Sequence, residues 1–279
     1  MNFEQTYSIL DFIKTNINYF IKHNIDNAKF ETELILCSVL QCDTIDLYTK
    51  NQKISKKDYL TIERYIKRRI DGEPIQYILK NSYFYGRGFF VNKDVLIPRF
   101  DSELIIDIAK QYQCMDNILD IGTGSGNLAI TMAVENLAKN VVATDISKQQ
   151  IKVAEHNKKK ICPEKNINFI IDDFFNSNIN QKFDIIISNP PYIPKNKMNE
   201  LDDLVKNHEP NNALTDGNDG YNFYKQFSAL GKRLLKNNGF MLLEIGVNNK
   251  IAELKKIFSN STMEIFNDFN DIPRVIKIY

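Results

Sequence analysis

From residue 117 onward, short β-prone runs alternate with stretches of helical periodicity, and this alternation restricts the fold more than any other feature of the chain. Strands are expected at 117–121, 140–145, 167–171, 183–188 and 239–245, with two more near 262–267 and 273–278. Helices are expected between them at 126–137, 147–159, 198–206, 221–236 and 248–258. Parallel strands need a crossover connection, and helices supply it, so the pattern predicts an α/β domain around a mostly parallel sheet. The order of the last two strands is left open by the pattern.

The first 75 residues differ. Tyr7, Leu10, Ile13 and Ile17, then Leu34, Ile35, Val39 and Leu40, then Leu60, Ile62, Tyr65, Ile66 and Ile70 recur at three-to-four spacing. Polar breaks at Asn24–Asn27 and Asn51–Ser55 separate three helices, with Ser55 as a cap of the third. Residues 76–97 are richer in β-prone side chains (Tyr77, Ile78, Tyr83, Phe84, Tyr85, Phe89, Phe90, Val91) broken by Gly86 and Gly88. They predict a short hairpin linking two domains. The expected division is therefore a helical domain at 1–75, a β-hairpin linker at 76–100 and a larger α/β domain at 101–279, whose first helix is capped by Asp101 or Ser102.

Composition narrows the classes. With 279 residues and 43% apolar content the chain can bury a proper core, and a net charge of +1 argues against a dedicated duplex-DNA binder. No apolar run approaches the ~20 residues needed to span a bilayer. Glu4 and Asp11 near the start, with no basic-then-apolar pattern, give no sign of a secretory signal, so a cytoplasmic location is expected. Cys37, Cys42, Cys114 and Cys162 are scattered, which favours free thiols over a zinc site or a disulfide framework. His23, His156 and His208 form no sequence cluster, and no metal is expected.

Two strand ends carry the chemistry. Ile118-Leu119-Asp120-Ile121 runs into Gly122-Thr123-Gly124-Ser125-Gly126 and then an apolar helix, so backbone can approach a ligand closely at a strand-to-helix turn. Asp145 ends the next strand, where a carboxylate can accept both hydroxyl hydrogens of a ribose. Together they indicate an adenosine-containing cofactor without saying which. Read from Gly124, with Ala129 in the last place, the loop also satisfies a dinucleotide pattern, which keeps a nicotinamide enzyme open. Asp173 and Phe174 follow the third strand, where a carboxylate and an aromatic face could take an adenine amine and ring.

The second strand end is Phe183-Asp184-Ile185-Ile186-Ile187-Ser188 followed by Asn189-Pro190-Pro191-Tyr192. Two prolines cannot donate to a ladder, so the strand stops at Asn189. The Asn189 amide and the Pro190 carbonyl then stand at the carboxyl end of a strand, where open parallel sheets bind ligands. A side-chain carbonyl beside a main-chain carbonyl is a paired acceptor for a planar NH2 group. Methyl transfer to an amino or amide nitrogen is the leading chemistry for such a pair.

Asp120-Ile-Gly-Thr-Gly-Ser-Gly126, Asp145 and Asn189-Pro-Pro-Tyr192 together resemble the class I methyltransferases that use S-adenosylmethionine. Gly72-Glu-Pro-Ile-Gln-Tyr-Ile78, Phe84-Tyr-Gly86 and Leu96-Ile-Pro-Arg-Phe-Asp-Ser-Glu103 are similar to the linker of the HemK/PrmC family. His208-Glu209-Pro210, Ala213-Leu214, Gly217 and Asp219-Gly220-Tyr221 resemble the segment that follows the family's Asn-Pro-Pro-Tyr, and Ala28–Leu36 its N-terminal helical domain. The chain departs at Phe100, where the family usually has proline, and at Phe174, where some members carry tryptophan.

The resemblance implies a Rossmann-like sheet with helices on both faces and S-adenosyl-L-methionine as cofactor. It implies that the substrate is the glutamine of the Gly-Gly-Gln motif in bacterial-type peptide chain release factors, methylated on its side-chain amide nitrogen. The cofactor would lie against Gly122, Thr123, Gly124, Ser125, Gly126, Asp145, Asp173, Phe174 and Asn189. The substrate amide would meet Asn189, Pro190, Pro191 and Tyr192, with Asn189, Pro190 and Tyr192 the catalytic groups. A sister branch methylates a glutamine of a ribosomal large-subunit protein, but Asp101-Ser-Glu103 after Pro98-Arg99 fits the release-factor branch better. The rival readings are a DNA adenine methyltransferase, with Tyr192 stacked on a flipped base, and a degenerate fold that binds without chemistry. The expectation is a monomer with partner recognition in the helical domain and no direct nucleic-acid or membrane contact.

Overall fold

The computed structural model describes residues 8–50 and 53–279, and all of Lys232 except its side chain. Glu4, Tyr7, Asn51 and Gln52, which entered the sequence reading, lie outside the described residues. The chain divides into two compact units, with the boundary between Lys80 and Asn81.

The first unit holds α1 (Ile9–Lys22), α2 (Ala28–Leu40), α3 (Thr44–Thr49), α4 (Lys56–Ile70) and α5 (Ile75–Leu79). Their apolar stripes meet in one core of Ile9, Ile13, Phe20, Ile35, Leu36, Leu47, Ile62, Ile66 and Ile75. Ser55 caps α4 by accepting from the Asp58 amide at 3.1 Å, as its position before the periodic run implied. Inside this unit Arg69 and Glu31 are both buried and bond in a fork, Nε to Oε2 at 2.5 Å and a second nitrogen to Oε1 at 3.2 Å. Tyr77 and Ile78, expected to be extended, are helical and buried in α5. Pro74 stands at the start of that helix and Lys80, with φ 54°, ends it, so packing overrides the β preference of these side chains.

The second unit opens with the short hairpin expected in this region, β1 (Ser82–Phe84) and β2 (Arg87–Phe89), which takes up only part of the 76–97 stretch. Phe84 and Phe89 join the core of this unit, and the Asn157 side chain bonds the Phe90 amide and carbonyl and the Ser125 carbonyl. The remaining elements are α6 (Glu103–Ala109), β3 (Met115–Ile121), α7 (Asn127–Val134), β4 (Ala138–Asp145), α8 (Lys148–Ile161), β5 (Ile167–Ile171), β6 (Phe183–Ser188), α9 (Asp203–His208), α10 (Asn211–Leu214), α11 (Asn222–Leu234), β7 (Leu235–Glu244), α12 (Ile251–Ile257), β8 (Met263–Asn267) and β9 (Pro273–Ile278). Where one helix was expected at 198–206, a 3-10 turn at Lys195–Glu200 precedes α9, because Asp202 accepts from the Leu204 amide and starts a new helix.

Seven strands form one sheet in the order β5-β4-β3-β6-β7-β9-β8. The first five are parallel, and β9 runs antiparallel to both neighbours, which settles the order the sequence left open. Both faces are covered. Ile118, Ile185, Ile187, Phe240 and Leu242 pack on one side, while Leu119, Ile121, Ile186, Met241 and Leu243 pack on the other. That two-sided burial explains why β6 reads as a continuous apolar run. The chain moves outward from β3 to β4 and β5, then returns to β6 on the other side of β3. The switch point lies between β3 and β6, so their carboxyl ends open a crevice.

Candidate active site

The loop after β3 is shaped by its glycines. Gly122, Gly124 and Gly126 have φ of +73°, +54° and +80°, a region that side chains with a β-carbon avoid. The Gly122 and Thr123 amides both donate to the Thr144 carbonyl at 2.9 Å, which pins the loop to the tip of β4. Thr123 is buried and donates to Asp120 Oδ2 at 2.7 Å. Asp120 Oδ1 is also buried, with no hydrogen bond of proper geometry among the described residues. Burial therefore pushes the Asp120 carboxyl up to about 7, although the Thr123 hydroxyl and the Ala129 amide favour its charge.

Asp145 lies alongside. Its Oδ2 accepts from the Gly124 amide at 2.9 Å and its Oδ1 from the Ser147 amide at 3.1 Å. Burial raises its pKa, and the Gly124, Ser147 and Ile146 amides act against that. A carboxylate has about four acceptor positions, so these amides leave capacity for a ligand.

A cavity of about 240 Å³ opens at these strand tips. It brings together Gly122, Gly124, Asp145, Asp173, Phe174, Asn189 and Pro191 from the residues expected in the site. Thr123, Ser125, Gly126, Pro190 and Tyr192 are not in its lining. Ser125 and Gly126 brace the loop instead, the first through Asn157 and the second with its Cα against Ala154 and Ile130. Asp173 uses both oxygens locally, on the Phe175 amide at 3.0 Å and the Asn176 side chain at 2.7 Å. Phe174 borders the cavity but is mostly core, its ring 4.6 Å from that of Phe227. Phe223, Gln150 and Asn212 also line the cavity. Their isolated positions in the sequence gave no signal.

This arrangement suits an adenosine-bearing ligand. A β-carbon at Gly122 or Gly124 would meet nothing within 4 Å, so a ligand has room directly against the backbone. Asp145 lines the same cavity as the aromatic side chains of Phe174 and Phe223. A larger groove of about 960 Å³ in the helical unit runs between α1 and α4, past Phe12, Tyr19, Tyr59 and Ile66, but it contains no comparable glycine loop. Among the described residues no group of three or more His, Cys, Asp or Glu is placed to hold a metal ion, and the four cysteines are free. Among the described residues no helix is long and apolar enough to cross a membrane.

The tip of β6 is held by a chain of side chains. Ser188 donates to the Ile121 carbonyl at 2.7 Å and locks β6 to β3. Asn189 Nδ2 donates to Ser102 Oγ at 3.0 Å, Ser102 donates to Glu244 Oε2, and the Tyr192 hydroxyl donates to Glu244 Oε1 at 3.2 Å. Ser102, expected as a helix cap, makes no capping bond to α6; its hydroxyl is committed to Glu244. Among the described residues no backbone hydrogen bond of a turn or loop ends on the Pro190 carbonyl. Burial and the Glu244 charge raise the Tyr192 hydroxyl well above its usual range.

Beyond Tyr192, the Ile193 amide donates to the Leu214 carbonyl at 3.0 Å and the Lys195 amide to the Asn218 carbonyl at 2.9 Å. Gly220 sits so close to this segment that a β-carbon would stand 2.4 Å from the Tyr192 carbonyl. Glu209, buried, accepts from the Ile97 amide at 3.2 Å and from Arg99 at 2.5 Å, so the segments at 96–103 and 208–210 meet beside the site.

Comparison with known proteins agrees with this geometry. Residues 115–271 match a methyltransferase domain family and residues 13–79 match the PrmC N-terminal domain. The release factor glutamine methyltransferase of Fusobacterium nucleatum is 37% identical over 283 residues, covering 96% of this chain and 77% of that protein. The enzyme of the same name from Bacillus subtilis is 36% identical over 242 residues, covering 82% of this chain and 83% of that one. A solved methyltransferase from Pyrococcus furiosus shares the fold, with a TM-score of 0.52 at 15% identity over 80% of this chain and 98% of that chain. A methyltransferase sheet, a matching helical domain and this level of identity over most of the length place the chain in the release factor glutamine methyltransferase family, with S-adenosylmethionine as its methyl donor.

Proposed function

We infer that this enzyme methylates the side-chain amide nitrogen of a glutamine, and that the glutamine belongs to the Gly-Gly-Gln motif of peptide chain release factors. Relatives bearing that activity in their names match over most of the chain. The observation that carries the chemistry is Asn189, which lines the cavity beside Gly122, Gly124 and Asp145 and has its amide nitrogen turned to Ser102.

A glutamine amide nitrogen is a poor nucleophile because its lone pair is delocalised into the carbonyl. S-adenosylmethionine, when bound, supplies a methyl group activated by a sulfonium, so the protein mainly has to position the acceptor. Asn189 Oδ1 and the Pro190 carbonyl accept the two N–H bonds of the substrate amide. This holds the nitrogen with its lone pair directed into the cavity and favours pyramidalisation. Alignment of this kind is worth roughly 7–11 kcal/mol. As the nitrogen gains positive charge its N–H groups donate more strongly, so both contacts tighten in the transition state. Tyr192 closes the substrate side against water. Asp145 binds the ribose hydroxyls, the Gly122–Gly126 loop lies against the cofactor, and Phe174 with Asp173 borders the adenine.

The helical region, residues 1–75, recognises the body of the release factor, with 76–100 as the joint and 101–279 as the catalytic part. The enzyme works as a cytoplasmic monomer on protein rather than nucleic acid. Mass spectrometry of a co-expressed release factor is the direct test, and one added methyl on its Gly-Gly-Gln glutamine is the expected result. Methyl found only on a ribosomal protein or on DNA adenine would overturn the assignment. Removing residues 1–70 should weaken action on whole release factor more than on a short Gly-Gly-Gln peptide; equal losses would make the helical unit a stabilising cap.

A further inference from the structure

We propose that Ser102 and Glu244 act as a positioning relay that fixes which end of the Asn189 amide faces the substrate, so that methyl transfer requires Glu244 in its ionised form. The proposal rests on the assignment of Asn189 as the acceptor of the substrate amide.

An asparagine amide is nearly symmetric in shape, so sterics alone do not choose between its oxygen and its nitrogen. Hydrogen bonding does. Ser102 has one hydroxyl hydrogen, and it goes to Glu244 Oε2. Ser102 therefore presents only lone pairs to Asn189, and Nδ2 must be the atom 3.0 Å away. Oδ1 is left at the other corner of the planar amide. Glu244 can impose this direction only as an acceptor. Ionised, it takes one hydrogen from Ser102 and another from Tyr192, so one carboxylate aligns both residues of the Asn189–Tyr192 segment. All three polar groups are set in a site where Ser102 and Glu244 are each 1% exposed.

Protonation reverses the chain. A neutral Glu244 can donate to Ser102, whose own hydrogen then turns toward Asn189. The amide must rotate to place its oxygen there, and its NH2 group faces the substrate NH2, donor against donor. The surroundings put this event close to neutrality. Burial raises the Glu244 carboxyl to about 7, Asp101 adds to the rise, and the Ser102 and Tyr192 hydroxyls and Arg274 oppose it. Arg274, on β9, is shared with Asp101 at 3.2 Å and Asp268 at 3.0 Å, and Tyr224 of α11 donates to the Glu244 main-chain carbonyl at 2.8 Å.

The test is single-turnover methylation of a Gly-Gly-Gln peptide with labelled S-adenosylmethionine, from about pH 5.5 to about pH 8.5, for wild type, Glu244→Gln and Ser102→Ala. The wild-type rate should fall about tenfold per pH unit below an inflection near neutrality. Glu244→Gln carries one acceptor oxygen and one donor end, as the neutral acid does, so that variant should react across the whole range at about the low rate the wild type shows at acid pH, and lose the acid limb. Ser102→Ala should lower kcat about 10- to 100-fold with the affinity for S-adenosylmethionine unchanged. The ¹⁵N signal of the Asn189 side-chain amide, read without substrate, should titrate in wild type and stay fixed in Glu244→Gln. An acid limb that survives in Glu244→Gln, or an Asn189 signal that titrates alike in both proteins, would overturn the relay. Failure of the wild type to methylate the peptide at any pH would count against the assigned reaction instead, and the amide signal would still decide the relay.

Discussion

The two strand tips that frame the cavity are built in opposite ways. At the tip of β3 the shape comes from near neighbours: three glycines at positive φ, the Thr123 hydroxyl reaching back to Asp120, and amides held by the adjoining strand. At the tip of β6 the backbone is simply stopped by two prolines, and the functional orientation is imposed from far away. Ser102 lies 87 positions from Asn189, and Glu244 lies 52 from Tyr192. The first tip is shaped by a short motif, because its hydrogen bonds use main-chain groups and near neighbours. The second depends on a side-chain amide, and an amide needs the assembled sheet around it to know which way to face.

If that division holds, damage to the β6 tip should act on turnover and damage to the β3 tip on cofactor affinity. Asn189→Ala gives the largest expected effect: a loss of at least ~10²–10³-fold in kcat, the range for removing one aimed polar group, with the dissociation constant for S-adenosylmethionine nearly unchanged by calorimetry. A comparable loss of cofactor affinity would show the two tips are not separable. Asp145→Ala should do the reverse. Hydrogen bonds to a charged group are worth about 1.5–3 kcal/mol, so cofactor affinity should fall about 10- to 150-fold, while kcat at saturating cofactor changes much less.

Gly220→Ala tests how far the β6 tip depends on remote packing. The residue has φ of +82° and no room against the Tyr192 carbonyl. Backbone strain of about 1–2 kcal/mol should lower Tm by several degrees, at about 2–4 °C per kcal/mol, and turnover should drop through the displaced Tyr192. A variant with normal Tm and normal kcat would mean the tip tolerates a shift there.

The smallest effect concerns Asp120. Its folded-state pKa is raised to about 7, so between the unfolded value and neutrality the folded protein keeps a proton that the unfolded chain has released. Stability from this group is then greatest at low pH, falls as pH rises through that window, and levels off above about 7. The Tm advantage of Asp120→Asn over wild type should be smallest below about pH 4 and grow by a few degrees up to about pH 8, measured without cofactor. The same decline with pH in both proteins would place the titration elsewhere.

Much of this architecture could be read before any coordinates. Strand ends at 171 and 188 and the cap at Ser55 fall where period and capping chemistry put them, because each depends on a few adjacent residues. The misreadings occur where longer-range forces compete with local preference. Tyr77 and Ile78 are helical and buried in α5 despite their β preference, and the Ser102 hydroxyl goes to a buried carboxylate instead of a helix amide. Phe223 and Gln150 were invisible as site residues, since nothing beside them in sequence marks which cavity they will border.

By itself the sequence determined the alternating elements, the glycine turn with its acid, the proline-stopped strand and, through those motifs, the family. These depend on steric limits of single residues and on hydrophobic period, which act within one element. Only the tertiary structure decided the strand order at the switch point, the meeting of Glu209 with Arg99, and the direction of the Asn189 amide. Hydrogen-bond direction is set by whichever donors and acceptors the fold brings within about 3 Å, and no local rule specifies that company.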